Sequence, residues 1–429
     1  MIRRLLLFVL ALSLATAGYL WFVEMGAIVP SAGETSTAEV ADAAQVQRGR
    51  YLALAGNCAG CHTARGEPDY AGGRGIETPF GTIHASNLTP DPETGIGRWS
   101  REDFWRALHL GRSRDGRLLY PAFPYPDYTR VTRADADAIF AYLQTLPAVS
   151  RPNRVHALRF PFDRQIVLAG WRALFFRPGE YREDPQRSGD WNRGAYLVQG
   201  LGHCDACHAG RNVFGATAAD SGLGGGQIPM QGWYAPPLAS PTKASVAAWA
   251  ESDIVASLRD GLSSQGSAMG PMAEVVHRST QHLREPDLRA MATYLRSLGD
   301  GASVQVAGAS RDRSKEIRDD ARGARIYEQH CADCHGADGR GEPGAYPGLA
   351  GNLSVTMDAP ANVILSVLGG GFPAATANNP RPYGMPPFAP VLSDDEIAAV
   401  VSYIRQGWGN RAASVSARDA GRLRGTGSR

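Results

Sequence analysis

The pentapeptide Cys58-Ala59-Gly60-Cys61-His62 recurs as Cys204-Asp205-Ala206-Cys207-His208 and again as Cys331-Ala332-Asp333-Cys334-His335, so that the three copies use all six cysteines of the chain. C-x-x-C-H is the attachment signature of c-type haem: two thiols add to the porphyrin vinyl groups and the adjoining histidine lies under the iron. The spacing suits one helical turn, which brings both sulfurs and the imidazole to one ring. A structural zinc site would need four ligands, and a thioredoxin-like pair would sit beside a βαβ pattern that is missing here. A histidine directly after the second cysteine in every copy decides for three covalently bound haem c groups. Cys58, Cys61, Cys204, Cys207, Cys331 and Cys334 are then the attachment sites, and His62, His208 and His335 the proximal iron ligands.

At 429 residues the chain has room for about three domains, matching the motif count. A net charge of +2 argues against nucleic acid as a partner. Arg3 and Arg4 precede an uncharged run from Leu5 to Val23. Residues 1–25 therefore read as a signal peptide or a membrane anchor. The apolar continuation Tyr19-Leu20-Trp21-Phe22-Val23, past the small-residue site Ala15-Thr16-Ala17, favours the anchor, with the rest of the chain outward. Residues 26–44, rich in Ser, Thr, Ala and Glu, read as a tether.

Three tandem all-α domains follow from the pattern: 45–150, 191–298 and 321–410. Each has a helix leading into its C-x-x-C-H, a Gly/Pro-rich wrap and a closing amphipathic helix. The phrase Arg48-Gly49-Arg50-Tyr51-Leu52 returns as Arg193-Gly194-Ala195-Tyr196-Leu197, with an echo at Arg322-Gly323-Ala324. Closing helices are predicted over Thr132 to Leu146, Pro286 to Leu298 and Ser393 to Gln406 from apolar residues at i, i+3, i+4, i+7, the last with a capping box at Ser393 and Glu396. Residues 151–190 form a linker whose apolar stretch, Ile166 to Phe176, reads as a connecting helix, with a membrane or partner contact as the alternative. Residues 299–320 form a polar linker, and 411–429 a basic, flexible tail.

A methionine opposite the histidine closes the iron and raises its potential. Met385, in Tyr383-Gly384-Met385-Pro386-Pro387-Phe388, follows His335 by 50 residues, and Met272, in Met269-Gly270-Pro271-Met272, follows His208 by 64, with Met269 as its competitor. No methionine exists between His62 and Cys204; the corresponding loop carries Phe123, 61 residues after His62. The sixth ligand of haem one is therefore unassigned: the iron is open, or His84, His109 or His156 moves in.

Over nearly its whole exported length the chain resembles the three-haem cytochrome c subunits of membrane-bound periplasmic dehydrogenases. The resemblance is carried by Trp191 through Leu197, Gly202-His203-Cys204, Asn87-Leu88-Thr89-Pro90-Asp91 with Gly95-Ile96-Gly97, Met272 through Val276, and Met385 through Trp408-Gly409-Asn410. It implies a catalytic dehydrogenase subunit as partner, carrying a quinone cofactor, a flavin or molybdopterin, with ubiquinone or an oxidase as acceptor. It also implies a place on the periplasmic side of the cytoplasmic membrane. Phe123 departs from the alcohol and gluconate branches, whose loop has methionine, and is more similar to the molybdenum hydroxylase branch. The expected function is electron transfer. The alternative, a peroxidase-like enzyme at an open haem one, would need a distal acid or base drawn from Glu67, Asp69 or His84. Gly222 to Gly226 lacks a dinucleotide fingerprint, and no P-loop, G-x-S-x-G or H-E-x-x-H occurs.

Overall fold

The Asp42 side chain accepts from the Gln45 amide and starts the first helix, α1 (Ala43–Ala55), of the computed structural model, which describes residues 42–218, 222–240, 244–299 and 313–425 in continuous stretches, with backbone alone over 313–320. The apolar segment expected over 1–25, most of the 26–44 tether and residues 300–312 of the second linker lie outside the described residues. Among the described residues no helix is long and apolar enough to cross a membrane.

Two compact units divide the chain. The first comprises the residues up to Glu183 together with Gln199–His203. Gly56 ends α1, and Asn57, left-handed at φ 50°, turns the chain into the short helix α2 (Cys58–His62). A three-stranded antiparallel sheet follows, β1 (Gly75–Thr78), β2 (Gly81–His84) and, after two helices, β3 (Ala157–Leu158), with Ile76 opposite Ile83 and Gly81 opposite Leu158. The fold is mostly helical as expected, with this small sheet added: four- and two-residue strands across a tight turn are too short to show alternation within a Gly/Pro-rich wrap. Between β2 and β3, α3 (Arg101–Leu110) starts at a Ser100–Asp103 capping box and stops at left-handed Gly111. The single turn Tyr125–Tyr128 then precedes α4 (Arg133–Leu143), the expected first closing helix, capped by Thr132. Helix α5 (Gln165–Phe175) fills the expected connecting position.

The second unit holds the other two motifs. Helix α6 (Gly189–Tyr196) runs into α7 (Asp205–His208), and α8 (Glu251–Asp260), α9 (Pro271–Arg278) and α10 (Glu285–Ser297) complete that repeat. Helix α11 (Arg313–His330) leads to α12 (Ala332–His335), followed by α13 (Ala361–Gly369) and α14 (Asp394–Gln406), whose Ser393–Glu396 capping box forms as expected. The Asn362 side chain joins the two repeats by accepting from the Tyr234 amide at 2.9 Å and donating to the Tyr234 carbonyl at 2.8 Å.

One packing device occurs three times and explains the Arg-Gly phrase. The leading helix crosses the closing helix at a glycine so closely that an added Cβ would lie 1.8 Å from the Ala138 carbonyl oxygen at Gly49, 1.9 Å from that of Ala290 at Gly194 and 2.4 Å from that of Ala399 at Gly323. The preceding arginine pairs with an acid in the first turn of the closing helix: Arg48 with Asp135 (Nε to Oδ1 2.8 Å), Arg193 with Asp287 (2.7 Å) and Arg322 with Glu396 (3.3 Å). Only glycine permits this backbone approach, and the ion pair fixes its register.

The expectation of a flexible tail over 411–429 is corrected for its described residues, 411–425. Helix α15 (Ala417–Arg424) starts at a Ser416–Asp419 capping box and buries Ala420 and Leu423, while Arg424 bonds Asp394 Oδ1 at 2.7 Å and the Leu392 carbonyl at 2.8 Å. Reading the segment by its arginines alone hid the box and the i, i+3 apolar pair. Arg405, 1 % exposed, donates to the carbonyls of Val355 (2.7 Å), Met357 (3.0 Å) and Ala413 (2.9 Å), tying the tail to the core. A buried acceptor left unpaired costs about 1–3 kcal/mol, so Arg405→Ala should lose about 3 kcal/mol in denaturant unfolding, and an unchanged midpoint would refute this assignment.

Candidate functional site

Each motif occupies one helical turn, and each histidine is fixed the same way. The Nδ1–H of His62 donates to the Ser86 carbonyl at 2.7 Å, that of His208 to the Pro236 carbonyl at 2.7 Å and that of His335 to the Pro347 carbonyl at 2.9 Å. This sets the tautomer and leaves the Nε2 lone pair free to act as a ligand. Burial holds all three imidazoles below their ordinary pKa, against the opposing effect of the carbonyl, so each is neutral and its Nε2 lone pair is available.

The carbonyls are themselves held. Two residues beyond each stands a leucine whose amide is tied back: Leu88 to the Tyr70 carbonyl (2.9 Å), Leu238 to that of Leu223 (2.8 Å) and Leu349 to that of Gly339 (2.7 Å). The sequence reading missed these partners. The signal for them was the leucine at a fixed offset in Ser86-Asn87-Leu88, Pro236-Pro237-Leu238 and Pro347-Gly348-Leu349.

No cysteine of the six is in a disulfide. Burial, reinforced by the neighbouring Cys61, pushes the Cys58 thiol up to about 12, and burial with Cys334 beside it pushes Cys331 to about 11. Two unbridged thiols and an imidazole with a free Nε2 on a single turn form the donor set that covalent haem requires. Among the described residues no His/Cys/Asp/Glu group that could hold a metal ion by itself occurs.

The loops that carry Phe123, Met272 and Met385 are built on a shared scaffold. Helices α3, α8 and α13 end at glycines of positive φ, Gly111 (57°), Gly261 (67°) and Gly370 (59°), after which the chain doubles back. The Leu119 amide bonds the Gly111 carbonyl at 2.8 Å and the Ala268 amide bonds the Gly261 carbonyl at 2.7 Å. Four residues past these anchors stand Phe123 and Met272, so backbone register makes them equivalent. Met385 is anchored directly, exchanging both backbone bonds with Gly371 at 2.8 and 2.9 Å. The Met269 methyl lies 3.4 Å from where a Cβ on Gly371 would stand, which turns the competitor toward the third repeat.

Phe123 packs on Tyr128 at 5.4 Å between ring centroids, and the Tyr128 hydroxyl donates to the Gly56 carbonyl at 2.8 Å, two residues before Cys58. Tyr128 thus links the phenyl ring of this loop to the backbone just before Cys58. His84 lies on β2, the strand that delivers Ser86 to His62, and its Nδ1 donates to the Val155 carbonyl at 3.0 Å. His156 accepts the His84 amide at Nδ1 (3.2 Å) and meets Tyr120 edge-on. His109 stacks on Trp105 at 4.4 Å and donates from Nδ1 to the Thr129 carbonyl at 2.8 Å. Glu67 is paired with Arg151 at 2.9 Å.

Comparison with known proteins adds to this geometry. The cytochrome c family matches residues 46–147 and 321–408, which contain the first and third turns. A nicotinate dehydrogenase subunit of Pseudomonas putida is 41% identical over 423 residues, 95% of this chain, although the chain spans only 34% of that protein. The cytochrome c subunit of the quinone alcohol dehydrogenase of Gluconobacter oxydans is 38% identical over 91% of this chain and 84% of its own length. The gluconate 2-dehydrogenase cytochrome c subunit of Pantoea cypripedii is 37% identical over 90% of both chains. Attachment turns of one geometry and likeness along nearly the full length of two such subunits lead to one assignment: the chain belongs to the family of cytochrome c subunits of dehydrogenases.

Proposed function

We propose that this chain carries electrons from a catalytic dehydrogenase subunit to ubiquinone or a terminal oxidase, on the periplasmic side of the cytoplasmic membrane, through three covalently bound haem c groups in domains at 45–150, 191–298 and 321–410, the last extended by the helix at 417–424. The observation that carries this reading is the threefold recurrence of one unit: the C-x-x-C-H turn, its histidine clamped by a carbonyl, and an Arg-Gly crossing behind it. Bound at these turns, the iron supplies reversible one-electron exchange between its ferrous and ferric states.

The chain's own residues do the rest. Cys58 and Cys61, Cys204 and Cys207, and Cys331 and Cys334 would hold the porphyrins; His62, His208 and His335 would ligate the irons, and Met272 and Met385 would supply thioether ligands to the second and third. Phe123 leaves the first iron without a thioether. Of the donors implied by the family, a hydroxylase acting on a compound such as nicotinate is favoured by the 41% identity to the nicotinate dehydrogenase subunit together with the Phe123 departure.

Phe123→Met tests the first site. With the loop register already matching that of Met272, the variant should gain a methionine–iron absorption band and lose cyanide binding at one haem. The lowest of its three potentials should rise by a sizeable part of the about 0.8 V that axial ligands span. A variant with an unchanged spectrum and potentials would mean that another residue already occupies that position.

A further inference from the structure

Helix α5 has two unlike faces. Its inner face belongs to the first axial loop: Gln165 accepts from the Leu118 amide at 2.8 Å and donates back to the Leu118 carbonyl at 3.3 Å, Leu168 and Ala169 cluster with Leu118 and Tyr120, and buried Arg172 lies over the Tyr125 ring at 5.2 Å. Its outer face is apolar and open. Ile166 is 40 % exposed, Val167 37 % and Leu174 70 %, and nothing lies within 4 Å of where a Cβ on Gly170 would stand. At about 100° per residue these four positions make one stripe. The lead-in loop adds Phe160, 77 % exposed.

Charge decides what fits this ridge. Arg159 and Arg164 in the lead-in and Arg177 just past the helix are exposed, and the only acid between residues 151 and 179 is Asp163, paired with Arg164 at 3.4 Å. An apolar stripe flanked by arginines matches the boundary between anionic headgroups and acyl chains. Eleven residues cannot span a bilayer but suffice to lie in its interface.

We propose that the outer face of α5, with Phe160, docks on an anionic phospholipid surface. The opposite face grips the Leu118–Tyr125 loop, so docking brings the first haem site to the membrane. The proposal rests on the membrane-side location in the proposed function and is independent of the haem count and of Phe123.

The test uses the full-length holoprotein with a single added cysteine carrying a nitroxide, at Leu174 or, as a control, at Val213, which is 86 % exposed in the second unit. Collision rates with oxygen and with a water-soluble nickel complex are measured with and without vesicles of phosphatidylglycerol and phosphatidylethanolamine. At Leu174 the vesicles should raise oxygen collisions and lower nickel collisions severalfold, with no change at Val213, and Arg159→Gln with Arg164→Gln should weaken the effect. Protein that floats with vesicles while Leu174 stays open to nickel would overturn the docking face and leave the membrane location standing. Protein that does not float at all would overturn both. Protection at Leu174 that appears only when the dehydrogenase subunit is added would assign the ridge to that protein instead.

Discussion

Gly194→Ala should destabilise the second repeat by about 3 kcal/mol, a large overpacking cost for one methyl group. In an exposed helix the same change would gain up to about 1 kcal/mol of propensity. Here the new Cβ would stand 1.9 Å from the Ala290 oxygen, 2.5 Å from its carbon and 2.9 Å from the Tyr294 Cβ. Two of those atoms are backbone within α10, so they cannot swing aside as a side-chain tip would. The helices must separate, which also stretches the Arg193–Asp287 pair at 2.7 and 3.0 Å. Clash therefore outweighs propensity. Gly189→Ala, in the same helix with nothing within 4 Å, is the internal control and should be neutral or stabilising. Chemical denaturation of the two variants checks this. Equal stabilities would show that the helices do not cross as closely as described, and Gly49→Ala should behave like Gly194→Ala, with Gly323→Ala milder in line with its 2.4 Å approach.

Met385→Leu should lower the potential of one haem by a substantial fraction of the about 0.8 V range that axial ligands cover, while leaving the fold intact. The backbone of residue 385 is held by Gly371, and a Cβ on Gly370 would stand 2.2 Å from the Met385 carbonyl oxygen, so it is the glycine pair that shapes this approach. Leucine keeps the half-buried side chain's packing against the core of the third repeat while removing the sulfur. Chemistry and structure are thereby separated. Redox titration followed in the visible spectrum should show one potential fall and one methionine–iron band disappear, with the other two haems unmoved; three unchanged potentials would remove Met385 from the ligand set.

Much of the site was legible because haem attachment is a local motif with few alternatives. The equivalence of Phe123 and Met272 was also legible as comparable distances from their histidines, and the anchors at Gly111 and Gly261 give that spacing its physical cause. Helix starts at Thr132 and Ser393 followed from capping residues. What escaped was non-local. The Arg-Gly phrase was visible as repetition, but its purpose lies in a helix about 90 residues away in the chain, where Ala138 and Asp135 meet it. Ser86, Pro236 and Pro347 act through backbone carbonyls, which carry no residue-type signature. The sheet β1–β2–β3 needed a strand 73 residues downstream of β2 to complete it. Charge hid the order in 417–424, where Ala420 and Leu423 reach the core of the third repeat.

Whether the threefold unit is real is decided by the amount of covalent haem per chain in the purified full-length protein, measured as pyridine haemochrome against protein concentration and checked by the intact mass. Three haems that survive denaturation and acid extraction, falling to two in Cys204→Ala with Cys207→Ala, are predicted. Two haems in the unmodified chain would remove the middle turn, which lies outside the stretches matched to the cytochrome c family, from the electron path and contradict the threefold unit.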